Sequence, residues 1–239
     1  MATAPHPAPP PTGGAGPLLV AADWTGRQPP TALLGPWERR HAEALPPRRR
    51  RQFTAGRLTA RAALGLAHGT APPPLDIPAD GNGAPYPVPW TGRALSISHT
   101  GTWAASAIGP PGALVGVDIE RADACDPALL RRVFAPGEAP PPSARTATAH
   151  WARKEAALKA HRGTPPTLGH YRVDGDHVLV HGKENVPAVR TWEIPLPGLV
   201  LVVASGADDP PVHHILTGAR ILRLLGADRA PGRRPAERP

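Results

Sequence analysis

The chain has 239 residues, of which 41% are hydrophobic, so it is long enough for one substantial folded domain or two small ones. A formal net charge of +8 points to an anionic partner but does not identify it. The single cysteine, Cys125, excludes an intramolecular disulfide and a cysteine-cluster metal site, which suits a reducing compartment. No apolar run reaches the ~20 residues that cross a bilayer. We therefore expect a cytoplasmic protein with no membrane partner.

The two ends of the chain differ in composition from its middle. Residues 1–16 contain five prolines and three glycines, which predicts a flexible leader. Residues 207–239 are again rich in proline and arginine and are predicted to form a partly disordered tail, although "HHILTGARILRLLG" has the apolar spacing of a short helix. Between them, residues 17–111 and 112–206 are predicted to be the two halves of one fold.

A faint internal repeat supports this division into halves. "GPLLVAADW" at Gly16 resembles "GALVGVDIE" at Gly112, an offset of 96 residues. "WAASAIG" ending at Gly109 resembles "LVVASG" ending at Gly206, an offset of 97 residues. From these residues alone, a duplication and a chance likeness both stay open.

Each half is predicted to contain one long helix and several strands. Residues 47–69 are rich in Arg, Ala and Leu and end at Gly69, while residues 144–163 form the equivalent pattern in the second half. Strands are predicted at residues 94–98, 102–108, 113–119, 170–173, 177–181, 188–194 and 198–204. The predicted fold class is α+β, with two similar halves, each a long helix packed on a small, mainly antiparallel sheet.

Three acidic residues suggest a cation site. Asp118 and Glu120, in "VGVDIE", are two apart on a predicted strand, so their carboxylates point to the same side, ~6 to 7 Å apart. Glu155, on the second long helix, adds a third carboxylate, and oxygen ligands of this kind suit Mg²⁺. The alternatives are an exposed strand edge for the first two, and for Glu155 an i, i+4 salt bridge to Lys159.

Two further segments hold polar residues of interest. "HWARKEAALKAH" contains Lys154 and Lys159, two of only three lysines among the 27 basic residues of the chain. "SISHTG" places Ser98 and His99 at the end of a predicted strand. Because adjacent side chains diverge, these two residues cannot form a nucleophile and its base, but they can bind phosphate.

In their order and spacing, "SISHTG", "VGVDIE" and "WARKEAALKA" resemble the signatures of the Sfp-type 4′-phosphopantetheinyl transferases, and the likeness extends from about Leu18 to Gly206. The resemblance implies halves related by a pseudo-twofold axis and Mg²⁺-dependent transfer of the phosphopantetheine arm from coenzyme A to a serine of an apo acyl or peptidyl carrier protein. The products would be the holo carrier and adenosine 3′,5′-bisphosphate. The type tends to accept many carriers and to serve secondary metabolism, such as polyketide and nonribosomal peptide synthesis. Two halves in one chain predict a monomer.

The resemblance also implies roles for individual residues of the second half. Asp118, Glu120 and Glu155 would hold Mg²⁺ against the coenzyme A pyrophosphate. Lys154 would support the pyrophosphate or these carboxylates, and Trp151 would pack the helix. The proton of the incoming serine would pass to Glu155 or to a metal-bound water.

The remaining implied roles concern the phosphates of coenzyme A. Arg61, with Arg57 one turn before it on the same helix face, would contact the 3′-phosphate. Ser98 and His99 would bind the same region, and Lys159 would neutralise the α-phosphate as negative charge builds.

One segment departs from the family pattern. A Gly-Lys-Pro triplet is common upstream of the Ser-His turn in the family, whereas this chain has Ala84 between Gly83 and Pro85. The coenzyme contact of that lysine is then absent, or it is made by another residue such as Arg93.

Two other functions fit parts of the sequence. Residues 48–51, "RRRR", and the arginine-rich tail are compatible with a basic nucleic-acid-binding protein, although no basic patch is interleaved with stacking aromatics. A relative that binds coenzyme A without catalysis is the second alternative, and the intact set of three carboxylates argues against it. We therefore expect an enzyme with no nucleic-acid partner.

Overall fold

The structure is a computed structural model that describes residues 16–69, 76–81, 83–86, 93–125, 135, 137–139, 141–163, 165–183 and 185–227. The predicted leader, apart from Gly16, and the last twelve residues of the predicted tail lie outside the described residues. None of the described helices is long and apolar enough to span a membrane.

The described elements are four α-helices, two short 3-10 helices and nine strands. The helices are α1 (Pro36–Ala44), α2 (Pro47–His68), α3 (Ala144–Ala160) and α4 (Gly218–Leu224), with short 3-10 helices at Thr31–Leu33 and Pro165–His170. The strands are β1 (Leu18–Asp23), β2 (Arg93–Thr100), β3 (Trp103–Pro111), β4 (Val115–Arg121), β5 (Tyr171–Asp174), β6 (His177–Val180), β7 (Val189–Ile194), β8 (Leu199–Ser205) and β9 (Val212–Thr217). Both predicted long helices and all the predicted strands are present.

These strands form two sheets. The N-terminal sheet has the order β2-β3-β1-β9, and its pairs are antiparallel except for β1 with β9. The C-terminal sheet has the order β4-β8-β7-β6-β5 and is antiparallel throughout. Helix α2 packs on the N-terminal sheet and α3 on the C-terminal sheet, while a third cluster of buried side chains lies between the sheets. The predicted α+β class with two similar halves is confirmed.

Strand register supports the internal repeat. Leu18 pairs with Ile108 in the first half, and Val115 pairs with Ser205 in the second, so both partners are shifted by the same 97 residues. Helices α2 and α3 also begin 97 residues apart, at Pro47 and Ala144. Strand, helix and pairing register therefore repeat together at one offset.

The predicted tail needs correction. Strand β9 pairs with β1 across its whole length, and the following helix α4 buries Ile221 and Leu222 in the N-terminal core. Strand β1 would otherwise leave one row of backbone N–H and C=O groups unpaired at the sheet edge. Residues 212–224 therefore belong to the first half, although they follow the second half in the sequence.

Helix α3 lies unusually close to strand β4. A Cβ atom added to Gly116 would lie 1.8 Å from the carbonyl oxygen of Ala156 and 2.7 Å from the backbone nitrogen of Ala160. Only a residue without a side chain permits this approach, which brings the helix backbone against the strand that carries Asp118 and Glu120. The glycine of "VGVDIE" therefore sets the distance between two elements of the site described below.

We predict that Gly116→Ala lowers the free energy of unfolding by about 3 kcal/mol, because the added methyl group must push α3 away from β4. Urea unfolding measures the change. Gly169→Ala is the control, since a Cβ there meets no atom within 4 Å, and we expect a change within about 0.5 kcal/mol. Equal stabilities of the two variants would contradict the close packing at Gly116.

Candidate active site

A polar pocket of about 320 Å³ lies where strand β2 of the first half meets strand β4 and helix α3 of the second. It combines acidic, basic and hydroxyl side chains. The residues that line it are Ile97, Ser98, His99, Asp118, Glu120, Trp151, Glu155 and Lys159. Both halves of the chain therefore contribute to one site.

Helix α3 presents one face to this pocket. Trp151, Glu155 and Lys159 are successive i, i+4 neighbours, so they form a row along the helix surface. Trp151 also packs against the core of the second half, as predicted for this residue. Helical periodicity thus explains why a tryptophan, a carboxylate and an ammonium line one wall.

Strand β2 reaches β4 through hydroxyl groups at alternate positions. Ser96 Oγ accepts a hydrogen bond from the backbone N–H of Val117 at 3.0 Å, and Ser98 Oγ donates to Asp118 Oδ1 at 2.9 Å. Thr100 Oγ1 lies 3.4 Å from Glu120 Oε2. Because alternate side chains of a strand share a face, these hydroxyls join the two halves beside the carboxylates.

Lys159 connects the helix to this junction. Its ammonium donates to Asp118 Oδ1 at 2.6 Å, to the carbonyl oxygen of Val117 at 3.2 Å and to Ser98 Oγ at 3.3 Å. Lys159 therefore forms its ion pair with Asp118, and part of its side chain is exposed to the pocket.

The other two carboxylates are held in an unfavourable environment. Burial, and next the charge of Asp118, raises the pKa of Glu120 to about 7. Burial also raises the pKa of Glu155, with Asp118 adding to the effect and Lys159 opposing it. The pocket thus holds more negative charge than its one ammonium can neutralise, and it stabilises a proton or another cation.

The pKa of His99 is shifted in the opposite direction to those of the two glutamates. Burial lowers its pKa, and the positive charges of Lys159 and of Arg49, an exposed residue in the first turn of α2, lower it further. Its Nδ1 atom is buried without a hydrogen-bond partner. These effects favour the neutral form of the His99 imidazole.

The carboxylate oxygens of this pocket are ligands of the type that Mg²⁺ binds. Asp118 Oδ2 is buried without a hydrogen-bond partner, although the other oxygen of this carboxylate accepts two hydrogen bonds. Oxygen ligands from one to three carboxylates are what Mg²⁺ prefers. Within the described ranges, however, no group of three or more His, Cys, Asp or Glu side chains is arranged to hold an ion as it stands. Joint ligation by Asp118, Glu120 and Glu155 therefore requires side-chain movement.

The structure does not bring Arg57 and Arg61 to the pocket. Both are almost fully buried in α2, where Arg61 forms an ion pair with Glu38 and Arg57 Nε lies 3.6 Å from the same carboxylate. Arg57 also donates to the carbonyl oxygen of Ile77 at 3.0 Å. The implied contacts of these two arginines with the coenzyme 3′-phosphate are therefore corrected, because a buried guanidinium committed to a carboxylate is not available to a ligand.

Lys154 is likewise turned away from the pocket. Only 1% of its side chain is exposed, and its ammonium forms an ion pair with Glu138. Burial lowers the pKa of Lys154, and Glu138 opposes this effect. Of the two roles predicted for Lys154, direct support of the pyrophosphate is corrected, because the ammonium is buried in this ion pair, and support of the carboxylates stays a prediction.

Glu138 is a residue that sequence reasoning missed. Burial alone would raise its pKa, but hydrogen bonds from His150, Lys154 and the backbone N–H groups of Val173 and Ala135 outweigh that effect and bring the pKa to about 2. Its one signal in the sequence is local: "APGE", ending at Glu138, repeats the pattern small-Pro-x-Glu of "GPWE", ending at Glu38.

The loop around Ala84, which lacks the family's lysine, is held by the side chain of Asp80. Asp80 Oδ1 accepts a hydrogen bond from the backbone N–H of Ala84 at 3.0 Å, and Asp80 Oδ2 accepts one from Arg162 at 2.8 Å. Arg93, the suggested replacement for the lysine, begins strand β2 and is not among the residues that line the pocket. The basic side chain at this loop therefore comes from the residues that directly follow helix α3.

Two family models match the chain in tandem. Residues 38–109 match the model described as "4′-phosphopantetheinyl transferase N-terminal domain", and residues 114–176 match that of the "4′-phosphopantetheinyl transferase superfamily". A crystal structure of a holo-(acyl-carrier-protein) synthase from Bacillus anthracis str. Ames in complex with CoA (3′,5′-ADP) aligns with a TM-score of 0.34 and 25% identity, over 39% of this chain and 92% of that chain. No curated protein gives a significant sequence match.

We predict that the free energy of unfolding of the metal-free protein falls as pH rises, because the Glu120 carboxyl loses its proton. Its folded-state pKa of about 7 lies above the ordinary 4.5, so the folded state holds the proton more tightly. This stabilisation is complete below pH 4.5 and is lost as pH rises to about 7. Urea unfolding in EDTA should show Glu120→Gln to be about 1 kcal/mol more stable than the wild type at pH 8, a small value because the carboxylate is partly exposed.

Glu193→Gln is the matched control for this measurement. Glu193 forms a partly exposed ion pair with Arg145 outside the pocket, so the pH dependence of the wild type should persist in this variant. If Glu120→Gln and the wild type kept a constant difference in stability from pH 5 to pH 8, the raised pKa of Glu120 would be refuted.

Proposed function

Because the chain belongs to the 4′-phosphopantetheinyl transferase superfamily, we propose that it transfers the phosphopantetheine arm of coenzyme A to a serine of an apo acyl or peptidyl carrier protein. The serine oxygen forms a bond to the phosphorus that bears the pantetheine arm, and the bond from that phosphorus to the bridging pyrophosphate oxygen breaks. The holo carrier and adenosine 3′,5′-bisphosphate leave, and the serine proton passes to a base.

The observation that carries this proposal is the pocket between the halves. It holds three carboxylates, one ammonium, one hydroxyl and one imidazole, all from the three segments that resemble the family signatures. The two family models meet within this region, since one ends near the end of β3 and the other begins just before β4. The site thus draws on both matched parts of the chain.

The chain's own residues supply charge and position. Lys159 is partly exposed at the pocket wall, so its ammonium can neutralise a phosphate oxygen as the transfer proceeds. His99, as a neutral imidazole, can bind a phosphate oxygen as a donor without adding charge. Arg49 is the exposed basic residue whose charge reaches His99, so it replaces Arg57 and Arg61 as the basic residue to test for the coenzyme phosphate.

Three carboxylates would hold the metal ion. We assign Asp118, Glu120 and Glu155 to Mg²⁺, with Asp118 Oδ2, a buried oxygen without a hydrogen-bond partner, as one of the ligand atoms. When bound, the ion would neutralise charge on the pyrophosphate. The serine proton would pass to Glu155 or to a water bound to the ion.

The net charge of the chain bears on its carrier partner, and the two halves within one chain bear on its oligomeric state. Carrier proteins are acidic, so a chain with a formal charge of +8 should attract them electrostatically. Both halves of the site lie in one chain, so we propose an Sfp-type monomer that needs no second copy to complete its pocket.

The function is tested with coenzyme A, Mg²⁺ and a panel of apo acyl and peptidyl carriers, by mass spectrometry of the carrier. We expect at least one carrier to gain the mass of the phosphopantetheine arm. Glu155→Gln should reduce the rate by about 100-fold or more, because it removes a metal ligand that is also a candidate acceptor of the serine proton. No mass gain on any carrier, despite coenzyme A binding, would refute the proposed transfer.

Glu193→Gln serves again as the control, since it makes the same chemical change outside the pocket, and its rate should match the wild type. A Glu155→Gln variant that transfers at the wild-type rate would remove Glu155 from both of these roles while leaving the reaction itself in place.

Lys159→Arg tests whether charge alone is enough at this position. The guanidinium is longer and planar, so it cannot keep the three contacts of the ammonium with Asp118, Val117 and Ser98. We expect the transfer rate to fall roughly 100-fold, as for a misplaced catalytic group. Lys183→Arg, at a position outside the pocket, should have no effect, and full activity of Lys159→Arg would show that only the charge matters.

A further inference from the structure

Each half of the protein contains a glutamate with a buried side chain and corresponding backbone partners. Glu38 Oε2 accepts from the backbone N–H of Gly35, three residues earlier, at 3.1 Å, and Glu38 Oε1 accepts from the N–H of Ile77 at 3.2 Å. Glu138 Oε2 accepts from the N–H of Ala135, also three residues earlier, at 2.6 Å. The N–H of Val173 donates to Glu138 Oε1 at 2.6 Å.

The cations that neutralise these glutamates also correspond. Arg57 and Arg61 of helix α2 face Glu38, and Lys154 of helix α3 faces Glu138. Arg57 precedes Lys154 by 97 residues, the offset at which the strands and the helix starts repeat. In each half, a glutamate therefore joins the long helix to the segment before it and to a strand or loop after it.

The residues next to this ion pair differ between helices α2 and α3. The residue after Lys154 is Glu155, and Lys159 follows one turn later, both in the pocket wall. At the equivalent positions of α2, 97 residues earlier, stand Leu58 and Ala62, both buried in the N-terminal core. The ion pair has pocket residues beside it only in the second half.

We infer that Glu138 and Lys154 are positioning residues for the metal and phosphate groups of helix α3. This inference rests on the proposed function, since it concerns the same pocket. Adjacent helical side chains leave the helix about 100° apart, so fixing Lys154 against Glu138 fixes the rotation of Glu155 about the helix axis. A helix free to rotate would move Glu155 relative to Asp118 and Glu120, which sit on another element.

The partners of Glu138 explain why this ion pair can hold helix α3 in one position. His150 Nε2 lies 3.1 Å from Glu138 Oε1, and only 3% of the Glu138 side chain is exposed. Glu138 therefore contacts α3 at two positions, His150 and Lys154, one turn apart. Two contacts along the axis restrict both rotation and sliding of the helix.

The test compares Glu138→Gln with Glu38→Gln, which makes the same change at the corresponding glutamate of the other half. Mn²⁺ is the probe, because it takes the same oxygen ligands as Mg²⁺ and the electron paramagnetic resonance signal of its free form reports binding without any transfer reaction. Titrations use full-length protein at a temperature where urea curves show each variant to be folded.

We expect Glu138→Gln to weaken Mn²⁺ binding by about 10-fold or more, as loss of outer-shell partners does in metal sites. Glu38→Gln should change it less than about 2-fold. Lys154→Arg should keep the affinity within about 3-fold, since arginine fills this role in the first half, whereas Lys154→Met should lose it as Glu138→Gln does.

Equal weakening by Glu38→Gln and Glu138→Gln would overturn the inference, because it would reflect general loss of stability. Wild-type affinity in Glu138→Gln, or no Mn²⁺ binding by the wild type, would also overturn it. If Glu138→Gln does not fold, Glu138→Asp against Glu38→Asp gives the same comparison with the charge retained. Carrier modification by the wild type, measured separately, distinguishes failure of this inference from failure of the proposed transfer.

Discussion

Three carboxylates share a half-buried pocket with a single ammonium, and most features of the site follow from this imbalance of charge. Lys159 neutralises Asp118 at 2.6 Å, while burial raises the pKa of Glu120 and of Glu155. The protein alone can relieve the repulsion by holding a proton, and a divalent cation would relieve it more completely. An arrangement that costs stability in the free protein is thus suited to bind a cation together with an anionic substrate.

Close packing and hydroxyl groups hold these charges together. Gly116 allows the backbone of α3 to approach β4, so that carboxylates on a helix and on a strand share one space. On the other side, Ser96 and Ser98 satisfy backbone N–H groups of β4 that the sheet itself leaves open. The two halves therefore meet through specific hydrogen bonds at the point where the pocket forms.

The two halves of the repeated fold use equivalent helix positions differently. Register, helix start and buried glutamate repeat at or near an offset of 97 residues, so the two halves share their means of stability. The first half fills the positions of Glu155 and Lys159 with Leu58 and Ala62 and buries them. The same framework thus serves packing in one half and charge placement in the other.

The sequence by itself determined the elements and the composition of the pocket. Helical periodicity put Glu155 and Lys159 on one face, and strand alternation put Asp118 and Glu120 on one side, because both patterns depend only on local geometry. It also predicted Ser98 and His99 beside them. What only the tertiary structure decided is which cations line the pocket: Lys159 does, whereas Lys154, Arg57 and Arg61 pair with glutamates distant in the sequence. Pairing of a buried charge depends on which distant segment packs against it, and no local pattern encodes that choice.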